Sequence, residues 1–361
     1  MDLKSIMSNR PVQTRQSSWW HPGLYLRKIP MLQTRQKLKK ALRDYFMALG
    51  FHEVDTPALQ ISPGLEVHLH AFKTELGDPH NDRKQTLYLH TSPEFTMKKL
   101  LVAGIPRLYQ LCHVYRNNER SSTHHPEFMM LEWYRADSSY EDLMADCVGL
   151  IRACATAGGM TKFAFGTTAC DPFLDWETLT VAEAFQRYCG IDLLATMPSP
   201  HTGDAEKLRE DAVRIGLRTS GDDSWDNMFF RILTQKIEPN LGQERPTFLA
   251  DYPVSHAALA RPKPGEPRLA ERFELYICGL ELANGFGELT DPAEQRKRFE
   301  ADMDAKARLY GERYPIDEDF MAALTFGMPP SAGIALGFDR LAMLCGGATE
   351  ITDILWAPVA G

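Results

Sequence analysis

The chain has 361 residues, 44% hydrophobic and 24% charged, with a formal net charge of −8. That length accommodates roughly two ordinary domains, and the composition excludes a disordered chain. The acidic balance argues against a protein that coats nucleic acid through many phosphate contacts, and no apolar run reaches the ~20 residues that span a bilayer, so no membrane partner is expected.

Residues 1–30 are polar and lack the apolar core of a secretory signal, so they read as a leader. From Met31 to Leu49, Leu32, Leu38, Leu42, Phe46 and Leu49 recur at helical spacing, with Gly50 as the stop. FHEVDTPAL follows as a short strand, limited by Pro57 to an edge or an end. Thr91-Ser92-Pro93 opens a helix, EFTMKKLLV, with Ser92 as cap and Pro93 in the first turn. Strands are predicted over 107–116 and 127–135, joined by a long polar loop. Residues 140–235 read as a helical insertion. Strand signals return in PTFLADYP and ERFELYICGLELANGFGEL, then a charged helix over 292–310, then PPSAGIALGFDRLAMLCGG. Strands dominate and helices flank them, which predicts an α+β fold on an antiparallel sheet. The seven cysteines contain no C-x-x-C pair and read as reduced core thiols of a cytoplasmic enzyme.

Four segments carry chemistry. In PEFMMLEWY, alternation puts Phe128, Met130, Glu132 and Tyr134 on one face and the apolar Met129, Leu131 and Trp133 on the other. Arg116 ends the preceding strand, where an arginine beside an aromatic and a carboxylate makes an anion clamp; an ordinary surface ion pair is the bland alternative. In the third segment Glu271, Glu274, Glu281 and Glu288 stand among apolar residues, which is costly unless they are paired or hold a cation. Glu274 and Glu281 lie seven apart, so they converge only through a bend, placed at Gly279. In GIALGFDR, small residues at 333, 335 and 337 line one strand face, and Arg340 enters the first turn of the next helix, where anions are favoured.

Together these segments resemble the catalytic core of class II aminoacyl-tRNA synthetases. ALRDYFMALGFHEVDTPAL resembles the first motif, usually a homodimer interface; VYRNNER through HPEFMMLE the second; GIALGFDRL the third. TSPE, PEFMMLEWY, RPTFLADYP and ELANGFGELTDP are similar to the lysyl type. The roughly 30 residues before the first motif are too few for the OB-fold anticodon domain of lysyl-tRNA synthetases, so the resemblance is to the elongation factor P–(R)-β-lysine ligase family. Ala335 agrees, since tRNA-charging lysyl enzymes carry glycine there.

The resemblance implies one catalytic domain over 31–361. It implies ATP and Mg2+ as cofactors, (R)-β-lysine or lysine as substrate, elongation factor P as acceptor, and no tRNA. Arg116 and Arg340 become the catalytic arginines. Arg116, Asn117, Asn118, His125, Phe128, Glu281, Leu282, Gly337 and Arg340 fall in the ATP site. Ser92, Pro93, Glu94, Glu132, Tyr134, Asn284, Glu288 and Ala335 fall around the amino acid, and Glu274 with Glu281 around magnesium. Asn118 occupies the position where the second motif has glutamate, with Glu119 next in line. The alternatives are a lysyl-type tRNA ligase and a non-catalytic regulatory paralogue.

Overall fold

The computed structural model describes residues 19–359. The helices are α1 (Pro22–Ala48), α2 (Glu94–Val102), α3 (Tyr140–Gly158), α4 (Val181–Cys189), α5 (Ala205–Arg214), α6 (Trp225–Ile232), α7 (Pro292–Tyr310), α8 (Glu318–Gly327) and α9 (Phe338–Gly346). The strands are β1 (His52–Glu53), β2 (Leu59–Gln60), β3 (Lys73–Gly77), β4 (Lys84–Leu89), β5 (Arg107–Tyr115), β6 (Glu127–Ala136), β7 (Phe163–Phe165), β8 (Thr168–Cys170), β9 (Glu177–Thr180), β10 (Thr247–Pro253), β11 (Pro262–Lys263), β12 (Glu266–Ile277), β13 (Leu280–Gly287) and β14 (Ser331–Gly337).

A nine-stranded sheet runs β1-β5-β6-β14-β13-β12-β10-β9, with β11 paired to β12. Its interior ladders are antiparallel; β1 on β5 and β9 on β10 are parallel. The expected antiparallel sheet is therefore the body of the fold, with one parallel strand at each end. Alternation along β6 sorts its side chains as expected. Met129, Leu131 and Trp133 join the main core with residues of α1, α3 and α9. On the other face, α2, α7 and α8 cover one end through Phe95, Phe299 and Phe320, with Phe95 and Phe320 stacked at 4.8 Å. The middle of that face stays open.

Two boundaries differ from the sequence reading. Residues 1–18 of the expected leader lie outside the described residues, and Pro22–Pro30 are not leader but the first turns of α1. Pro30 sits inside this helix; because proline lacks the N–H of a regular turn, it reads in sequence as a start signal. The helical layer is also shorter than 140–235. α3 packs on α1, α9 and β14 as part of the main core. A separate core gathers α4, α5 and α6 against β9 and β10, around the stacked rings of Phe185, Phe229 and Trp225. No helix among the described residues is long and apolar enough to cross a membrane.

Candidate active site

The open middle of the sheet is a cavity of about 560 Å³. Its floor is built by register. Ala335 on β14 stands between Glu132 on β6 and Asn284 on β13. The β12–β13 hairpin turns through Cys278 and Gly279, both at positive φ (54° and 73°), so Gly279 does serve the turn. The pairing then slips between Leu275 and Tyr276: Tyr276 opposes Glu281, while Glu274 opposes Asn284. This bulge lets Glu281 and Asn284, three apart, both line the cavity.

One end of the cavity is cationic and aromatic. The Arg116 guanidinium lies 5.3 Å from the centre of the Phe128 ring. Arg340 donates to the carbonyl of Glu281 at 2.6 Å and to His124 Nε2 at 2.7 Å. Burial and the nearby Arg340 charge hold His124 below the usual histidine range, consistent with a neutral acceptor ring. His125 Nε2 accepts the Val359 N–H at 3.2 Å, so its Nδ1 is the donor to the Glu127 carbonyl at 2.6 Å. Leu282, Ala335 and Gly337 also line the space. A Cβ on Gly337 would meet only the Arg340 side chain, at 3.7 Å or beyond, so the room above this glycine belongs to the cavity.

Asn117 and Asn118 do not line the cavity; Glu119 does. The Asn117 N–H donates to the His70 carbonyl at 2.7 Å, and Asn118 adopts a left-handed φ of 66°. That turn carries Glu119 into the space, 3.9 Å from Arg116. The expected glutamate function thus has a candidate one position later, and the two asparagines shape the turn.

The other end is acidic and leads to a buried pocket. Ser92 and Glu94 line the cavity, whereas Glu132, Tyr134 and Glu288, at 1%, 3% and 1% exposure, lie beneath its surface. Pro93 does not line it: it precedes α2 and fixes the entry of that helix. Ser92 Oγ accepts the Glu94 N–H at 3.1 Å and donates to Glu132 Oε1 at 2.6 Å. The Tyr134 hydroxyl donates to Glu132 Oε2 at 3.0 Å. Burial, then the Glu94 charge, push Glu132 up to about 8, against the pull of these donors. Burial pushes Glu288 up to about 7. Gly333 makes the room: a Cβ there would stand 2.2 Å from the Tyr134 ring and 2.3 Å from Glu288 Oε1.

The expected pair Glu274 and Glu281 is not presented as a pair. Glu281 lines the cavity, and enclosure plus the Glu274 charge raise it. Glu274 is 6% exposed and saturated. It takes Arg272 at 2.6 Å on one oxygen and the hydroxyls of Tyr252 and Tyr276, at 2.5 and 2.7 Å, on the other. A magnesium ion is therefore offered one open carboxylate, Glu281, with Glu274 held behind it. Among the described residues no three His, Cys, Asp or Glu side chains form a cage, which suits a cation that takes its other ligands from phosphates and water.

Sequence reasoning missed several groups. Arg272 reaches the cavity from β12, where its alternation with Glu274 was a usable signal. Glu66 and Asp302 make a further acidic flank; burial and the Glu66 charge push Asp302 up to about 7. Lys98, an apolar-face position of α2, is buried in ion pairs with Glu94 and Glu288.

A family model described as tRNA synthetases class II (D, K and N) matches residues 27–360. Two proteins named elongation factor P–(R)-β-lysine ligase, from Salmonella paratyphi B and Salmonella schwarzengrund, are each 37% identical to this chain over 342 residues, covering 94% of this chain and 97% of theirs. The motif order, the antiparallel sheet with two arginines at one end of its cavity, and these similarities agree: the chain belongs to the class II tRNA synthetase family.

Proposed function

We propose that the protein is an ATP-dependent ligase that activates (R)-β-lysine, or lysine, as its adenylate and transfers it to a lysine ε-amino group of elongation factor P. The observation that carries this is the division of one cavity into a two-arginine end and a deep three-carboxylate end. A triphosphate needs the first, and an amino acid with a second ammonium group needs the second. The names of the similar Salmonella proteins supply the acceptor and the β-amino acid.

In the first step the substrate carboxylate attacks the α-phosphorus of ATP, forming the acyl-phosphate bond and releasing pyrophosphate. Arg116 and Arg340 face the charge that develops on the phosphoryl oxygens. Phe128 offers a face for the purine, and Glu119 an acceptor for its edge. Magnesium, when bound, neutralises phosphate charge; Glu281 is the side chain that would hold it. In the second step the acceptor amine attacks the adenylate carbonyl, an amide forms and AMP leaves. The chain's own contribution is positioning and charge, with no protein nucleophile. A homodimer through α1 and a cytoplasmic location belong to the same proposal.

ATP–pyrophosphate exchange with a panel of lysine isomers, followed by transfer of labelled amino acid to elongation factor P, tests this. Exchange with (R)-β-lysine and label on elongation factor P are expected. No exchange with any isomer would overturn the reading, and label on tRNA alone would move it to a tRNA ligase.

A further inference from the structure

Lys98 is fully buried, at 0% exposure. It lies one helical turn beyond Glu94 on α2, pairs with that carboxylate, and pairs with Glu288 at 2.6 Å. Burial alone would lower its pKa; the Glu288 and Glu94 charges more than reverse this and raise it, so the ammonium is kept. An ammonium this deep persists only where carboxylates compensate its lost hydration. Glu288 gains little else: neither of its oxygens has a well-formed hydrogen bond. Three carboxylates, Glu94, Glu132 and Glu288, thus share the pocket with one resident cation.

We propose that Lys98 is a positioning residue, the built-in counter-ion of the amine pocket, which holds Glu94 and Glu288 in place and leaves two negative charges for the substrate when Glu132 is ionised against a bound ammonium. This rests on the reading of the pocket as the amino-acid site and extends it. Two negatives complement a substrate that brings two ammonium groups, while its carboxylate faces Arg116. A mono-amino acid leaves one negative unmatched in a buried site, and that mismatch is the selectivity. Without Lys98, Glu94 and Glu288 would repel, and one would keep a proton at neutral pH. The other groups facing this pocket are Glu132 and Tyr134 on β6, Cys112 on β5, Arg261, which pairs with Glu271 at 2.6 Å, and the Glu66–Asp302 flank. None of them replaces an ammonium between Glu94 and Glu288.

The test compares wild type, Lys98→Met and Lys98→Arg in ATP–pyrophosphate exchange from about pH 6.5 to 9.5, with calorimetric binding of the lysine isomers alongside. Lys98→Met is expected to raise the amino-acid KM about tenfold or more near pH 7, a loss typical of a charged contact, with the ATP KM unchanged. Its KM should fall again as pH rises and the orphaned carboxylates ionise, and added ethylammonium should restore part of the loss. Lys98→Arg keeps the charge with poorer fit; it should lose less, follow the wild-type pH dependence with no additional recovery, and show no rescue. If Lys98→Met does not fold, Lys98→Arg decides, because parallel losses for ATP and amino acid there would mean a packing role. An unchanged amino-acid KM in Lys98→Met, or a loss blind to pH and ethylammonium, overturns the proposal. Wild type that exchanges with no isomer overturns the ligase reading instead. Calorimetry then judges Lys98 separately, and equal binding by wild type and variant, or no lysine binding at all, overturns it.

Discussion

Ser92 and Glu132 are joined by a 2.6 Å hydrogen bond that links the start of α2 to the floor strand β6. The bond draws on a carboxyl that burial has pushed up to about 8. Between the ordinary value of 4.5 and about 8, the folded protein keeps a proton that the unfolded chain releases, so this group takes stability away as pH rises through that window, by at most about 1.4 kcal/mol per pH unit. Glu132→Gln, which cannot ionise, should therefore melt higher than wild type at pH 8 and converge with it near pH 4.5, measured by thermal denaturation. The same variant should lose amino-acid binding, while wild-type KM for the amino acid should fall as pH rises towards about 8.

Gly333→Ala places a methyl where the Tyr134 ring and Glu288 already stand. Overpacking of this kind costs about 1–3 kcal/mol. A lower melting temperature and a raised amino-acid KM are expected, with the ATP KM unchanged, since the nucleotide end lies along the other part of β14.

Glu119, carried into the cavity by the left-handed Asn118, is the candidate reader of the purine edge. Glu119→Gln should raise the ATP KM by about tenfold, the scale of one hydrogen bond to a charged group. Asn118→Gly accepts the same backbone conformation and should leave the ATP KM within about twofold of wild type. Steady-state exchange kinetics with varied ATP separate the two.

Glu281→Gln and Glu274→Gln should fail differently. Glu281→Gln should increase the magnesium concentration needed for half-maximal exchange while the melting temperature holds. Glu274→Gln leaves the half-buried Arg272 without its carboxylate and the hydroxyls of Tyr252 and Tyr276 with a neutral acceptor, and should lower the melting temperature first. Chelation of divalent cations should stop exchange in wild type.

Ala335→Gly removes one methyl between Glu132 and Asn284. A methyl-sized change is worth about 1–3 kcal/mol of discrimination. The ratio of kcat/KM for (R)-β-lysine over α-lysine should fall by about tenfold or more, measured by exchange with each isomer.

Much of this site was legible in the sequence because strand alternation is a strict rule. It assigned Met129, Leu131 and Trp133 to the core face and Phe128, Met130, Glu132 and Tyr134 to the other; Phe128 and Met130 line the cavity, and Glu132 and Tyr134 lie beneath it. What it could not give were features set by non-local geometry. The bulge beside Tyr276 and the left-handed turn at Asn118 break the regular alternation, and the Tyr252 hydroxyl that helps saturate Glu274 comes from another strand, 22 residues away. Lys98 was hidden by its neighbour Lys99, since a lysine pair on a short helix reads as solvated; only the first of them is buried. The first turns of α1 were hidden because residues 22–30 are mostly polar or exposed, and the helix runs through Pro30.

Buried Arg35 on α1 pairs with Asp339, and the other oxygen of Asp339 accepts the Met129 N–H at 2.9 Å. Asp339 directly precedes Arg340, and Met129 directly follows Phe128. One carboxylate therefore rivets the long outer helix to both walls of the nucleotide end. A tilt of α1 cannot be absorbed locally; it must displace the arginine, the aromatic ring, or the rivet itself. Whatever grips the outer side of α1 holds a lever whose short arm ends one residue from Arg340.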